Sequence, residues 1–158
     1  MNKSLLLLSR IENRQYPETT QVNMNELLHQ LLESFTAVYE KRALQIQLEE
    51  KETLLCKMNE SLARVLIANL LKNAFVHNYE EGVIAIRISR NRFTISNTSN
   101  NAVLNKAKLY SRFNKEGTAS DSTGLGLAVV KSISSLYEIE IAYDFKDKMH
   151  SFCLTFKN

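Results

Sequence analysis

The sequence predicts an α+β chain folded as a two-layer sandwich, with a mixed, mostly antiparallel sheet carrying its helices on one face. Three observations point there. Short stretches alternating apolar and polar residues come in pairs, at 43–49 with 53–58, 83–88 with 92–96, and 139–143 with 149–156. A period of two is that of a half-buried strand. Ahead of each pair runs a stretch whose apolar residues recur every three or four positions, the period of an amphipathic helix. The connection inside each pair is only a few residues long, which suits hairpins. Strands with one apolar face must cover it, and the helices are what the chain has to cover it with.

The elements follow in order. Residues 1–16 carry Leu5, Leu6, Leu7, Leu8 and Ile11 among Arg10, Glu12, Asn13 and Arg14, and read as one helical stretch ending before Pro17. Four adjacent leucines cover more than one helical face, so this segment either packs on a partner or is the end of a longer helix. Pro17, the only proline, marks a linker over 17–20. A second helix is expected from Asn23 to about Arg42. Asn23 and Glu26 form a start signal of the capping-box type, and Leu27, Leu28, Leu31, Phe35 and Val38 make the apolar stripe. His29 lies beside Gln30, with no acidic neighbour in sequence to act as a base, and is read as structural.

Leu44, Ile46 and Leu48 alternate with Gln45, Gln47 and Glu49 as a strand; Lys51 and Glu52 turn the chain into its partner. Asn59 caps the next helix, with Glu60 in the first turn, where the helix dipole favours an anion. Glu80, Glu81 and Gly82 turn the chain into the second hairpin, and 97–101 is a loop of turn-forming residues. Residues 106–115, with Leu109, Tyr110 and Phe113, read as a short helix or turn. Residues 114–123 are small, polar and Gly-containing, and read as a mobile loop. A helix from Thr123 to about Leu136 precedes the last two strands, which meet at a turn over 144–148.

Composition narrows the function. The 158 residues are 44% hydrophobic and 23% charged, enough for one domain with a real core. A net charge of +3, with no basic run interleaved with aromatics, argues against nucleic acid as a partner. The leucine run at 5–8 is far too short to span a membrane and has no small-residue cleavage site after it. Cys56 and Cys153 lie in apolar, strand-like stretches without CxxC spacing; they read as buried thiols in a reducing compartment, not as metal ligands.

The helix over 59–78 organises the rest. Asn69, Asn73 and His77 are spaced by four, along one side of a helix otherwise built of Leu, Val, Ile and Ala. Unpaired burial would cost about 1–3 kcal/mol per group, so these side chains either line a polar cavity or cap neighbouring loops. Gly124, Leu125 and Gly126 open the next helix. Glycines let a backbone approach a ligand closely, and the unpaired N–H groups of a helix start bind anions; a tight turn is the simpler reading. Carboxamide oxygens suit Mg²⁺, which bridges to phosphate oxygens. Together these features suggest a nucleotide site between the two helices.

Here the residues carry a family resemblance. Asn69-Leu70-Leu71-Lys72-Asn73-Ala74 resembles the N box of sensor histidine kinases, which share the Bergerat ATP-binding fold with heat-shock chaperones, type II topoisomerases and mismatch-repair ATPases. Gly124-Leu125-Gly126-Leu127-Ala128-Val129-Val130-Lys131 resembles their G2 box, and Arg112-Phe113 their F box. The resemblance implies that Asn69 and Asn73 hold Mg²⁺ against the triphosphate of ATP, with His77 near the phosphates. Gly124, Leu125 and Gly126 would give backbone contacts to phosphate, and Arg112 and Lys115 would form or flank the ATP lid over 114–123. Residues 1–20 would be the end of a dimerisation helix and a linker, and 21–158 the ATP-binding catalytic domain. Its partner would be a dimerisation and phosphoacceptor domain that this chain lacks. A response regulator would be reached through the parent protein, cytoplasmic in location or an inner-membrane sensor with this domain on the cytoplasmic side. No nucleic acid and no membrane contact are implied for the fragment.

The sequence departs from the family at several points. Asn97-Thr98-Ser99-Asn100-Asn101 stands where the family has Asp-x-Gly-x-Gly, so Asn97 would meet the adenine amino group with a neutral acceptor. Val76 replaces a frequent Lys, and Asn59 a frequent acid. These departures bear on nucleotide affinity and open a second reading, a degenerate kinase-like domain that signals by docking with weak or no ATP binding. A stand-alone serine kinase of the anti-sigma-factor type fits less well with the leucine-rich first segment. A chaperone-like ATPase would need a Glu one turn before Asn69, where Val65 stands.

Overall fold

The computed structural model describes residues 3–100, 110 and 125–157. The elements are α1 (Lys3–Glu12), β1 (Thr20–Asn23), α2 (Met24–Val38), β2 (Gln45–Glu50), β3 (Leu55–Met58), α3 (Glu60–Val76), β4 (Val83–Ile88), β5 (Arg92–Thr98), α4 (Gly126–Leu136), β6 (Glu140–Lys146) and β7 (Met149–Thr155). A 3₁₀ turn, Glu40–Arg42, follows α2. The expected helix or turn over 106–115 and the loop over 114–123 lie outside the described residues, apart from Tyr110.

Five strands form one sheet in the order β2-β4-β5-β7-β6, parallel only between β2 and β4. The expected mixed, mostly antiparallel sheet is therefore present, with α3 against β5 and α4 against β6 on one face. That face carries Ile84, Ile86, Ile88, Phe93, Ile95, Phe152 and Leu154, all buried. The opposite face is polar and partly open: Ser96 Oγ donates to Ser151 Oγ at 2.8 Å, and Arg87 pairs with Glu49 at 3.3 Å.

Two sequence expectations need correction. The strands over 43–49 and 53–58 are not a hairpin. β3 leaves the main sheet and pairs antiparallel with β1, with Val22 opposite Cys56. The reason is a set of contacts no local rule sees. The Leu54 carbonyl accepts Met24 N–H at 2.9 Å, its N–H donates to Asn25 Oδ1 at 2.8 Å, and its side chain is fully buried. β2 pairs instead with β4, through a crossover that carries α3. β1 itself falls on residues expected as linker and helix cap. The second correction concerns the thiols: Cys56 and Cys153 are half-buried, not buried. Burial still pushes the Cys56 thiol up, which keeps it protonated and unreactive.

The leucine-rich first segment packs within the chain. Leu8 and Ile11 are buried in the common core and α1 lies on α4, while Leu6 stays exposed. Among the described residues no helix is long and apolar enough to cross a membrane.

Caps fall where the sequence places them. Asn23 Oδ1 accepts from Glu26 N–H at 3.1 Å, and Asn59 Oδ1 from Leu62 N–H at 3.1 Å. Asn59 does more than cap. Its Nδ2 donates to the Glu18 carbonyl at 3.0 Å and its N–H to Tyr137 Oη at 3.1 Å, tying the linker and the end of α4 to the start of α3. Asn59→Ala is expected to cost about 1–2 kcal/mol, lowering the thermal midpoint by about 2–8 °C in a calorimetric melt.

The α3–β4 turn divides two jobs between neighbours. Glu81 takes the left-handed conformation (φ 63°), while Gly82 is required for space. A Cβ on Gly82 would lie 2.1 Å from Asn78 Oδ1 and 2.5 Å from Thr98 Oγ1. The last hairpin turns on Asp147 and Lys148, both with positive φ (54° and 62°), as a two-residue turn of right-handed strand twist demands.

Candidate nucleotide site

α3 is buried on nearly every side. Leu62, Ala63, Leu66, Ile67, Leu70, Leu71, Ala74, Phe75 and Val76 all lie in the interior. Asn69 and Asn73 form a half-buried polar strip on it. Asn69 Nδ2 donates to the Val65 carbonyl one turn back at 2.9 Å, which leaves its carboxamide oxygen as the outward end. Asn73's carboxamide has no hydrogen-bond partner among the described residues. His77 is not inside the helix, as its spacing suggests, but is its C-cap. It stays in line because its N–H donates to the Asn73 carbonyl at 3.1 Å.

α4 begins at Gly126, three residues later than expected, with Leu125 as N-cap and no side chain capping it. No side chain among the described residues caps the N–H groups of its first turn, and such a helix start can take an anion. Leu125's side chain is fully buried, so only its backbone can serve a ligand. Gly126 meets the polar strip directly: a Cβ placed on it would lie 3.2 Å from Asn69 Oδ1. The helix start thus meets the carboxamide strip at Asn69. Gly126→Ala is expected to push the Asn69 carboxamide aside by a few tenths of an ångström and weaken nucleotide affinity by about threefold to tenfold, measured by calorimetric titration.

β5 also packs against α3. Asn97 and Ser99 are buried, and Asn97 lies on the helix-facing side of the sheet with Phe93 and Ile95. Asn97 Nδ2 donates to the Thr98 carbonyl at 3.1 Å, leaving Oδ1 as the acceptor a base amino group needs. Arg112, Lys115 and Gly124 lie outside the described residues. Tyr110 is half-buried, with the Lys131 ammonium 5.8 Å from its ring centre, and burial pushes its phenol up to about 12.

Several supporting residues escape sequence reading. Arg42 Nη1 donates to the carbonyls of Phe75, Val76 and Asn78 at 2.9, 3.3 and 2.9 Å, putting a cation on the C-terminal end of α3. Asn78 Oδ1 accepts from Thr98 Oγ1 at 2.7 Å and its Nδ2 donates to Val83 O at 3.0 Å, stitching the end of α3 to the end of β5. The Arg42 contacts and the Asn78–Thr98 pair join residues 20 or more positions apart, beyond any spacing rule. His29 is exposed, its Nε2 2.8 Å from Glu50 Oε2, a surface pair away from this junction.

No group of three His, Cys, Asp or Glu among the described residues could cage a metal. The donor set fits a hard cation held by one or two carboxamide oxygens and completed by phosphate and water.

The model of the histidine kinase-, DNA gyrase B- and HSP90-like ATPases matches residues 58–157. The chain belongs to that family. Solved structures that share its fold include sensor histidine kinases. The heme sensor protein HssS of Staphylococcus saprophyticus is 31% identical over 166 residues, covering 99% of this chain and 35% of that protein. The chain thus spans about a third of the length of the curated relatives it matches. Among solved structures, a mycobacterial sensor histidine kinase, MprB, superposes with a TM-score of 0.76 at 16% identity, covering 88% of this chain and 97% of the other. Full-length ShkA in complex with AMPPNP superposes with a TM-score of 0.77 at 20% identity, covering 96% of this chain and 34% of the other. At such identities the superpositions speak for the fold alone.

Proposed function

We propose that the chain binds ATP with Mg²⁺ and, in its parent protein, donates the γ-phosphoryl group to a histidine on a dimerisation domain. The observation that carries this reading is the junction of Gly126 with the Asn69 carboxamide, where a helix start with no side-chain cap among the described residues meets an oxygen donor. Asn69 and Asn73 would hold Mg²⁺, which when bound neutralises phosphate charge. The backbone N–H groups at Gly124, Leu125 and Gly126 would receive the phosphates, with Arg112, Lys115 and His77 alongside. Asn97 would accept from the adenine amino group. Phosphoryl transfer asks little of a protein beyond positioning and charge neutralisation, and these residues supply both. Val65, one turn before Asn69, is no base, so water is not activated there; this supports transfer to a protein over hydrolysis. The cytoplasmic face of a membrane sensor is the setting that suits such a domain.

A docking module with weak ATP binding is the second reading, favoured by Ser99 and Asn101 where the family has glycines. Titration with ADP and a non-hydrolysable ATP analogue, with and without Mg²⁺, separates the two. Micromolar, Mg²⁺-sensitive binding is expected. No binding up to millimolar nucleotide sinks the kinase reading in favour of docking.

A further inference from the structure

Asn97 is not alone at the base end of the site. It stands opposite His150 in the β5–β7 register, and both side chains are buried, at 2% and 4% exposure. Directly opposed residues on one face of an antiparallel pair stand about 5 Å apart at Cβ. His150 is itself held. Tyr143 Oη lies 2.6 Å from its Nδ1, and the rings of Tyr143 and Phe145 have centroids 5.8 and 4.8 Å from its own. Tyr143 is buried as well, on the neighbouring strand β6. This polar pair in the interior has no part in the phosphoryl chemistry above.

A carboxamide differs from a carboxylate in one respect that matters here. One end accepts, the other donates, and half a turn of the last torsion exchanges them. Adenine offers an amino hydrogen and needs an acceptor; guanine offers a carbonyl oxygen at the same place and needs a donor. An Asn free to turn would read both bases. The Thr98 carbonyl restrains Nδ2 of Asn97 from within its own strand. Across the ladder stands the His150 ring, fixed by Tyr143.

We infer that the Tyr143–His150 pair is a positioning device that keeps Asn97 Oδ1 turned to the base, so that the site selects adenine over guanine. The inference rests on the nucleotide reading above and adds to it the residues that set base selectivity.

The test compares ADP, GDP and the diphosphate of purine riboside, which lacks the 6-amino group, by calorimetry on wild type, Tyr143→Phe and His150→Gln. Wild type is expected to favour ADP over both others by at least about tenfold. In Tyr143→Phe, which keeps the ring and loses only the hydroxyl, the preference should fall to within about threefold, with GDP gaining. His150→Gln reads the same ratio should Tyr143→Phe fail to fold. Equal weakening of all three ligands, with the ratio unchanged, means a purely structural pair and overturns the inference. Failure of wild type to bind any of the diphosphates removes the nucleotide reading itself. Tight but unselective binding by wild type leaves that reading standing and overturns only the base-selecting role.

Discussion

Asn73→Ala is expected to abolish Mg²⁺-dependent nucleotide binding while leaving the fold intact. The side chain is half-buried on α3 and its carboxamide has no hydrogen-bond partner among the described residues, so its removal orphans nothing. Alanine is also the better helix former, by about 0.5 kcal/mol. The thermal midpoint should hold or rise by about 1–2 °C. Affinity for ADP with Mg²⁺ should fall by at least about 100-fold, or roughly 2.7 kcal/mol, because a cation ligand is lost where the phosphates gather. Calorimetric titration beside a melt checks both halves. Binding within about threefold of wild type would remove Asn73 from the site.

Gly82→Ala should do the reverse and damage the fold first. The added methyl would sit 2.1 Å from Asn78 Oδ1, 2.5 Å from Thr98 Oγ1 and 2.9 Å from the Tyr79 carbonyl. None of these atoms can yield cheaply. Asn78 and Thr98 bond to each other at 2.7 Å and to Val83, so relief means opening the stitch between α3 and β5. Overpacking and the lost bonds together should cost about 3 kcal/mol, or roughly 6–12 °C in a melt of a protein this size. Nucleotide affinity should fall with it, because the stitch lies one residue from both His77 and Asn97. A Gly82→Ala protein as stable as wild type would show that the turn can open without loss.

Much of this was legible in residue order. The periods of two and 3.6 place α2, α3, β4, β5, β6 and β7 to within a few positions. Asn23 and Asn59 cap as their positions suggest, because a cap is satisfied within three residues of itself. The Asn69 and Asn73 strip is likewise a local fact, fixed by helical spacing alone. Gly126 as a point of close approach also shows in the sequence, as a Gly at the mouth of a helix.

What escaped is everything that depends on which element meets which. β2 and β3 look like a hairpin because their alternation is adjacent, yet Leu54 is drawn to Met24 and Asn25, 29 or more positions upstream. Glu81, not Gly82, adopts the left-handed turn, because Gly82's freedom is spent on space between Asn78 and Thr98. His77 leaves the helix for its cap, where Arg42 gathers the last carbonyls from 33 to 36 positions away. Periodicity encodes the faces of single elements, since each face repeats along one chain direction. Pairing partners are chosen by burial and hydrogen-bond closure across long separations, and neither quantity exists until the chain has folded.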